Sequence, residues 1–251
     1  AAALGRTLSV GSMMGSMLKS DKEQLTIRIN GGGPIGTILV DAYSDGHVRG
    51  FVSDPHIMLQ YNDTGKLAVG TAVGKEGYLE VIKDLNMKEN WSGTVALQSG
   101  EIGDDFAYYF TASEQTPSAV SVGVLVNPDL TVNCAGGFLI QLLPFAPESA
   151  IDQIEKNING MESVTKLICG GMTTEAIAMK ALEGLEPNVL DDFEVNYRCD
   201  CSRERVENAL ISLGRAELED LSKDGGTDVE CHFCDKKYPF TPEEILGLIK
   251  E

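Results

Sequence analysis

Apolar and polar residues change their spacing along this chain, and each change marks a boundary. Residues 1–18, "AAALGRTLSVGSMMGSML", carry Leu4, Leu8, Met13, Met14, Met17 and Leu18 among Ala, Gly and Ser. This predicts a core helix whose small residues let it approach a neighbour closely. From Leu25 to about Pro144 the period shortens to two. "LTIRIN" alternates Leu25, Ile27 and Ile29, and "TILVDAYS", "HVRGFVS", "TVALQSG", "FAYYFTAS", "SVGVLVN" and "GGFLIQLLP" read as further strands. Turns rich in Gly, Asn, Asp and Pro separate them, "NMKENWSG" among them. Strands with helices packed on them predict an α+β core domain over 1–146.

At "PFAP", residues 144–147, the period lengthens again. Ile151, Ile154 and Ile158, then Val164, Leu167 and Ile168, then Ile177 and Leu182 recur at helical spacing, broken at Gly160, Gly170, Gly171 and Gly184. Thr173 is placed to cap the third helix. Residues 147–198 hold ten Asp and Glu against four Lys and Arg. Short, acidic, glycine-broken helices have little core of their own, so 147–192 reads as a conditionally stable helical linker. The remainder, 193–251, reads as a small module. Ser202 caps a helix bearing Val206, Leu210 and Leu213 with Gly214 at its end, and "AELEDL" adds a further turn or two. "TDVECHFCDKKYPF" forms a hairpin around a tight cysteine loop. "TPEE" sets a capping box from Thr241 to Glu244 with Pro242 at the first helical position.

Composition narrows the function classes. The net charge of −18 over 251 residues repels phosphate backbones, and in 195–251 eight Lys and Arg face thirteen Asp and Glu. Nucleic acid is therefore not an expected partner. No apolar run reaches the ~18–20 residues a membrane span needs, so no membrane partner is expected either. With no start methionine and no signal-peptide pattern, the reading is a fragment lacking an N-terminal piece, from a protein of the reducing cytoplasm.

Most chemical motifs read as structure. "GGGPIG", Gly31 to Gly36, matches G-x-G-x-x-G, but β-branched "TILV" follows where a dinucleotide fingerprint needs a helix. It reads as a strand-to-strand connection. Asp104 and Asp105 read as a turn or helix cap, and His47 and His56 are isolated. The cysteines differ. Cys199-x-Cys201 and Cys231-x-x-Cys234 are two local pairs, and four thiolates meet the tetrahedral preference of Zn²⁺. An iron–sulfur centre is the minor alternative, and His232 lies between ligands that already complete the set. Cys134 and Cys169 read as packing residues.

"RCDC", "ECHFC" and "KKYPFT", with "GGGPIG", "SGEIGDDFAYYFTASEQTPSAVSVGVLVN" and "AGGFLIQLLP", resemble the thirty-three kilodalton chaperonin family of redox-regulated bacterial heat-shock chaperones. The resemblance covers nearly the whole chain. It implies a non-enzyme: a holdase for unfolding client proteins, quiet when reduced and bound to one Zn²⁺ per chain, and dimeric when active. It implies an N-terminal α/β domain, a helical linker and a C-terminal zinc domain, with Cys199, Cys201, Cys231 and Cys234 as metal ligands. Four cysteines permit three disulfide connectivities. The expectation accompanying the resemblance is that oxidation pairs Cys199 with Cys201 and Cys231 with Cys234, ejects zinc and unfolds the module together with part of the linker. A zinc-ribbon adaptor and a thiol-disulfide oxidoreductase working through Cys231 and Cys234 are the competing readings.

Overall fold

The computed structural model describes residues 1–57 and 67–249. The chain divides into two compact units, Ala1–Tyr197 and Arg198–Glu251. In the first, helix α1 (Ala2–Gly15) is followed by strands β1 (Gln24–Gly32), β2 (Ile38–Tyr43) and β3 (Val48–Val52). Then come the short helix α2 (Val69–Val73), strands β4 (Gly74–Asp84) and β5 (Trp91–Ala96), helix α3 (Gly103–Ala112), and strands β6 (Ser118–Val126) and β7 (Val132–Gln141). β1–β5 form an antiparallel sheet of order β3-β2-β1-β4-β5, and β6–β7 form a separate hairpin.

The two-residue period is expressed directly. Leu25, Ile27 and Ile29 of β1 are buried, as are Ile38, Val40 and Ala42 of β2 and Leu79 and Val81 of β4. α1 lies between this sheet and the β6–β7 hairpin, and its glycines set how close it comes. A Cβ on Gly5 would stand 2.8 Å from Val124 Cγ2 of β6, and one on Gly15 would stand 2.5 Å from the Tyr43 carbonyl of β2. The expected close approach of the first helix is thus met on both sides.

"FAYYFTAS" is not a strand. It is α3, burying Phe106, Tyr109 and Phe110 while Tyr108 stays exposed. The aromatic composition favours a strand, but the buried positions fall at i, i+3 and i+4. Asp105 fixes the start of the helix. Its Oδ1 accepts from the backbone N–H of Gln98, Ser99 and Gly100, and its Oδ2 accepts from that of Ile102, at 2.7–3.3 Å. The Asp104–Asp105 pair is therefore a helix start. β5 begins at Trp91, three residues before "TVALQSG", and ends at Ala96. The second pattern missed in the sequence is "GYLEVIKD", part of β4, which sits in the interior of the sheet. "GGGPIG" does connect β1 to β2. A Cβ on Gly31 would lie 2.3 Å from the Gly74 carbonyl, so the glycines admit a neighbouring backbone.

Helices α4 (Glu148–Gly160), α5 (Val164–Cys169) and α6 (Thr174–Ala181) follow at the expected places, and Thr173 Oγ1 accepts from Ala176 N–H. α4 buries only Ile154, and α5 packs on β6–β7 through Val164 and Leu167. One expectation fails here: Cys134 and Cys169 are not two separate packing residues, because a disulfide joins them between β7 and α5. Isolated in the sequence and 35 residues apart, they carry no spacing signal that local reading detects.

The second unit holds α7 (Arg203–Ser212), α8 (Arg215–Lys223), the hairpin β8 (Thr227–Glu230) with β9 (Lys237–Phe240), and α9 (Pro242–Gly247). Ser202 caps α7, and Thr241 and Glu244 form the capping box of α9. Leu210, Leu218, Tyr238, Phe240 and Ile245 make a small core, whereas Leu213 is exposed. Arg203 ties α7 to β9 and α9. It donates to the Pro239 carbonyl at 3.0 Å and to Glu244 at 2.6 Å, and its guanidinium lies over the Phe240 ring.

Candidate metal centre

Cys199 and Cys201 lie in the irregular segment leading into α7, and Cys231 and Cys234 lie in the loop between β8 and β9. That loop is shaped by its first cysteine. The Cys231 carbonyl accepts from Cys234 N–H at 3.3 Å and Asp235 N–H at 2.8 Å, while Cys231 N–H donates to the Lys236 carbonyl at 3.0 Å. Asp235 takes a left-handed φ of +57°, which short polar side chains tolerate. The turn points both sulfurs of the CxxC toward the other pair.

All four sulfurs lie within 4.8 Å of one another, with Cys199 to Cys231 at 3.7 Å and Cys201 to Cys234 at 3.4 Å. Among the described residues, no histidine or carboxylate joins the group, so His232 is not part of it. Cys201 and Cys231 also touch the module's core. The hydroxyl of buried Tyr238 donates to Cys201 Sγ at 3.1 Å, a contact absent from the sequence reading. "KKYPF" stands beside the cysteines in sequence, but nothing in its spacing shows which way the ring turns.

The sulfurs resist ionising together. The Tyr238 hydrogen bond holds Cys201 down at about 7, and Tyr238 itself is pushed up to about 12 by the same bond. Desolvation raises Cys199. Cys234 receives the N–H of Lys236, which favours its thiolate, yet the hydrogen bond to Cys201, burial and the other two sulfurs push it up to about 12. Four sulfurs this close become four thiolates only when a cation neutralises them. The arrangement is therefore a group able to hold a metal ion.

A family model described as Hsp33 protein matches residues 1–241. Proteins named 33 kDa chaperonin match over the whole chain. One from Clostridium botulinum (strain Alaska E43 / Type E3) is 49% identical over 100% of this chain and 85% of its own length. One from Shouchella clausii is 51% identical over 100% and 85%. The crystal structure of a 33 kDa chaperonin (heat shock protein 33 homolog) from Thermotoga maritima superposes with a TM-score of 0.89 at 38% identity, covering 98% of this chain and 84% of that one. The match takes in both the sheet domain and the four-cysteine module, and the chain belongs to the Hsp33 family.

Proposed function

We propose that this protein is a redox-regulated chaperone that holds unfolding client proteins and prevents their aggregation under oxidative stress. The observation that carries the reading is the placement of four cysteines from two segments around one point in a module with a five-residue core. Family membership and the chaperonin names of its relatives support the chaperone part.

Zinc is the ion we assign, one per chain, held by Cys199, Cys201, Cys231 and Cys234. A tetrahedron with Zn–S bonds of about 2.3 Å has sulfur–sulfur edges of about 3.8 Å, close to the 3.7 and 3.4 Å observed. Structural zinc contributes about 10–16 kcal/mol in small peptides at neutral pH, against the ~5–15 kcal/mol by which whole domains are stable. The metal then decides whether the module folds.

Oxidation removes it. Two thiolates give two electrons to one hydrogen peroxide, which takes up two protons and leaves as two waters, so two peroxides convert the four ligands to two disulfides. We assign the pairs Cys199–Cys201 and Cys231–Cys234. In the resting geometry the cross pairs stand close, so this pairing requires the sulfurs to move as the metal leaves. A cross pair closes a loop of about 30 residues and stabilises the fold by roughly 3–4 kcal/mol, replacing part of what the metal supplied. Neighbour pairs close loops too short to constrain the chain and leave the module unfolded.

The helical segment 147–192 is the linker in this reading. Apolar residues already stand exposed on both sides of it: Leu143 and Phe145 before α4, Leu190 after α6. A groove between α4 and the β6–β7 hairpin is lined by Ile140, Leu142, Ile151, Ile154 and Ile158. Loosening the linker would add these to a client-binding surface. Homodimers in the active state, a cytoplasmic location and the absence of catalysis complete the proposal. Among the described residues, no helix is long and apolar enough to cross a membrane. The oxidoreductase alternative is weakened because Cys231 and Cys234 sit in a two-stranded hairpin outside any βαβ unit.

Light scattering by a heat-unfolding client protein tests the proposal. Peroxide-treated protein suppresses aggregation at near-equal molar ratio, while reduced, zinc-loaded protein does not. Equal suppression by both forms would overturn redox control, and suppression by neither would overturn the chaperone reading.

A further inference from the structure

Cys134 lies on β7 opposite Leu125 of β6, and Cys169 is the last residue of α5. Their disulfide closes a separation of 35 residues, with Cα atoms 6.0 Å apart. Apart from this bond, α5 is held by a small apolar cluster. It is six residues long and buries Val164 and Leu167 with Ile177 of α6, and the partly buried Phe138, Met161, Ile168 and Met172 pack against them. Its fit on the hairpin is close: a Cβ on Gly123 would meet Thr165 Cγ2 at 2.5 Å, and one on Gly136 would meet Ile168 Cδ1 at 2.7 Å. Close fit over one and a half turns does not make such a helix self-sustaining, so the covalent bond is the strongest tie between α5 and the sheet domain.

The bond is also open to exchange. Cys169 is an exposed residue and Cys134 a half-buried one, so a small thiolate reaches the Cys169 sulfur first.

We propose that Cys134 and Cys169 are a second, separately switchable thiol pair, a modification site whose oxidation state sets whether α5 can leave the β6–β7 hairpin. The partner is a low-molecular-weight thiol and its disulfide. In the oxidising direction the Cys169 thiolate attacks the small disulfide and expels one small thiolate. The Cys134 thiolate then attacks Cys169 Sγ in the mixed disulfide and expels the second, so two protein thiols are oxidised and one small disulfide becomes two thiols. The reducing direction is the reverse.

Oxidation here acts in the opposite sense to oxidation at the metal centre. It fastens the helix, whereas loss of the metal loosens the module. An opening that starts at the C-terminal cysteines and spreads back along the chain stops at Cys169 when the pair is joined and runs through α5 when it is reduced. That consequence rests on the proposed function; the pair and its hold on α5 do not.

The test uses the full zinc-loaded chain, equilibrated in mixtures of reduced and oxidised glutathione, then alkylated and mapped by peptide mass. Amide hydrogen exchange is read over 161–184 in the same samples. The expected map shows a peptide joining Cys134 to Cys169 that separates as the mixture becomes reducing. α5 amides exchange about five-hundredfold slower in the joined form, the scale of closing a loop of this length. Cys169→Ser exchanges at the reduced rate in every mixture. Cysteines 134 and 169 unlinked across the whole range, or equal exchange of α5 in joined and reduced protein, would overturn the proposal. Peptides containing Cys199 to Cys234, read in the same map, report separately on the metal centre.

Discussion

At the scale of single residues the contact with most consequence is Tyr238 to Cys201. If Cys201 binds the metal as proposed, a hydroxyl donating to its sulfur orients it and steadies its negative charge, and loss of such a partner typically costs 10–100-fold in metal affinity. We expect Tyr238→Phe to lower zinc affinity roughly tenfold in competition with a chelator, with the fold otherwise intact. Unchanged affinity would show the hydrogen bond to be incidental. The same sulfurs set a pH dependence. Cys199 and Cys234 lie above their ordinary values and hold protons at neutral pH, while Cys201, at about 7, is partly ionised. Metal must displace those protons, so binding tightens as pH rises and weakens as it falls through 7. At pH 8 at least two protons should be released per ion, measured with an indicator dye; fewer would contradict the assignment of four thiolate ligands. The four-cysteine group was legible in the sequence because two short spacings bring thiols together in pairs. Tyr238 and the Cys134–Cys169 bond were not, because each depends on a side chain meeting a partner brought from a distant segment.

At the scale of elements, caps and glycines decide more than propensity. Thr241 accepts from Glu244 N–H while Glu244 accepts from Thr241 N–H, and Pro242 occupies the first turn. Thr241→Ala should cost about 1 kcal/mol in the metal-bound protein, read as a shift of its denaturation midpoint. The Thr241 N–H, with the nearby Arg203, holds the Glu244 carboxyl below its usual value. Its contribution is therefore present above the ordinary glutamate range and is lost as pH falls through the lowered value. Asp105 carries more. Asp105→Ala leaves four backbone N–H groups near the start of α3 without an acceptor, and should cost at least about 3 kcal/mol of sheet-domain stability. A loss under 1 kcal/mol would mean that water replaces the carboxylate. α3 is also where reading the sequence failed most instructively. Phe, Tyr and Thr in a row suggest a strand, and only the cap at Asp105 and the i, i+3, i+4 burial of Phe106, Tyr109 and Phe110 reveal the helix. The capping box of α9 and the alternation of β1 were plain in sequence because both signals are local. β4 was missed although its interior place in the sheet is what buries Leu79 and Val81.

At the scale of the whole molecule, two units differ in what holds them. Ala1–Tyr197 is built on a continuous apolar core running from α1 through the sheet to α3, whereas Arg198–Glu251 gathers five buried residues beside the sulfurs. We expect the second unit to depend on a bound metal and the first not to. Self-association should follow exposure of apolar surface, since a chain of charge −18 repels its own copies otherwise. Sedimentation should give more dimer after oxidation than before at equal concentration, and identical mass in both states would contradict this. The most direct test is a peroxide titration in which zinc release and amide hydrogen exchange are followed in the same sample. The account predicts that protection across 198–249 collapses in step with zinc release while the β1–β5 sheet keeps its protection. Protection of 198–249 that survives complete zinc loss would contradict it.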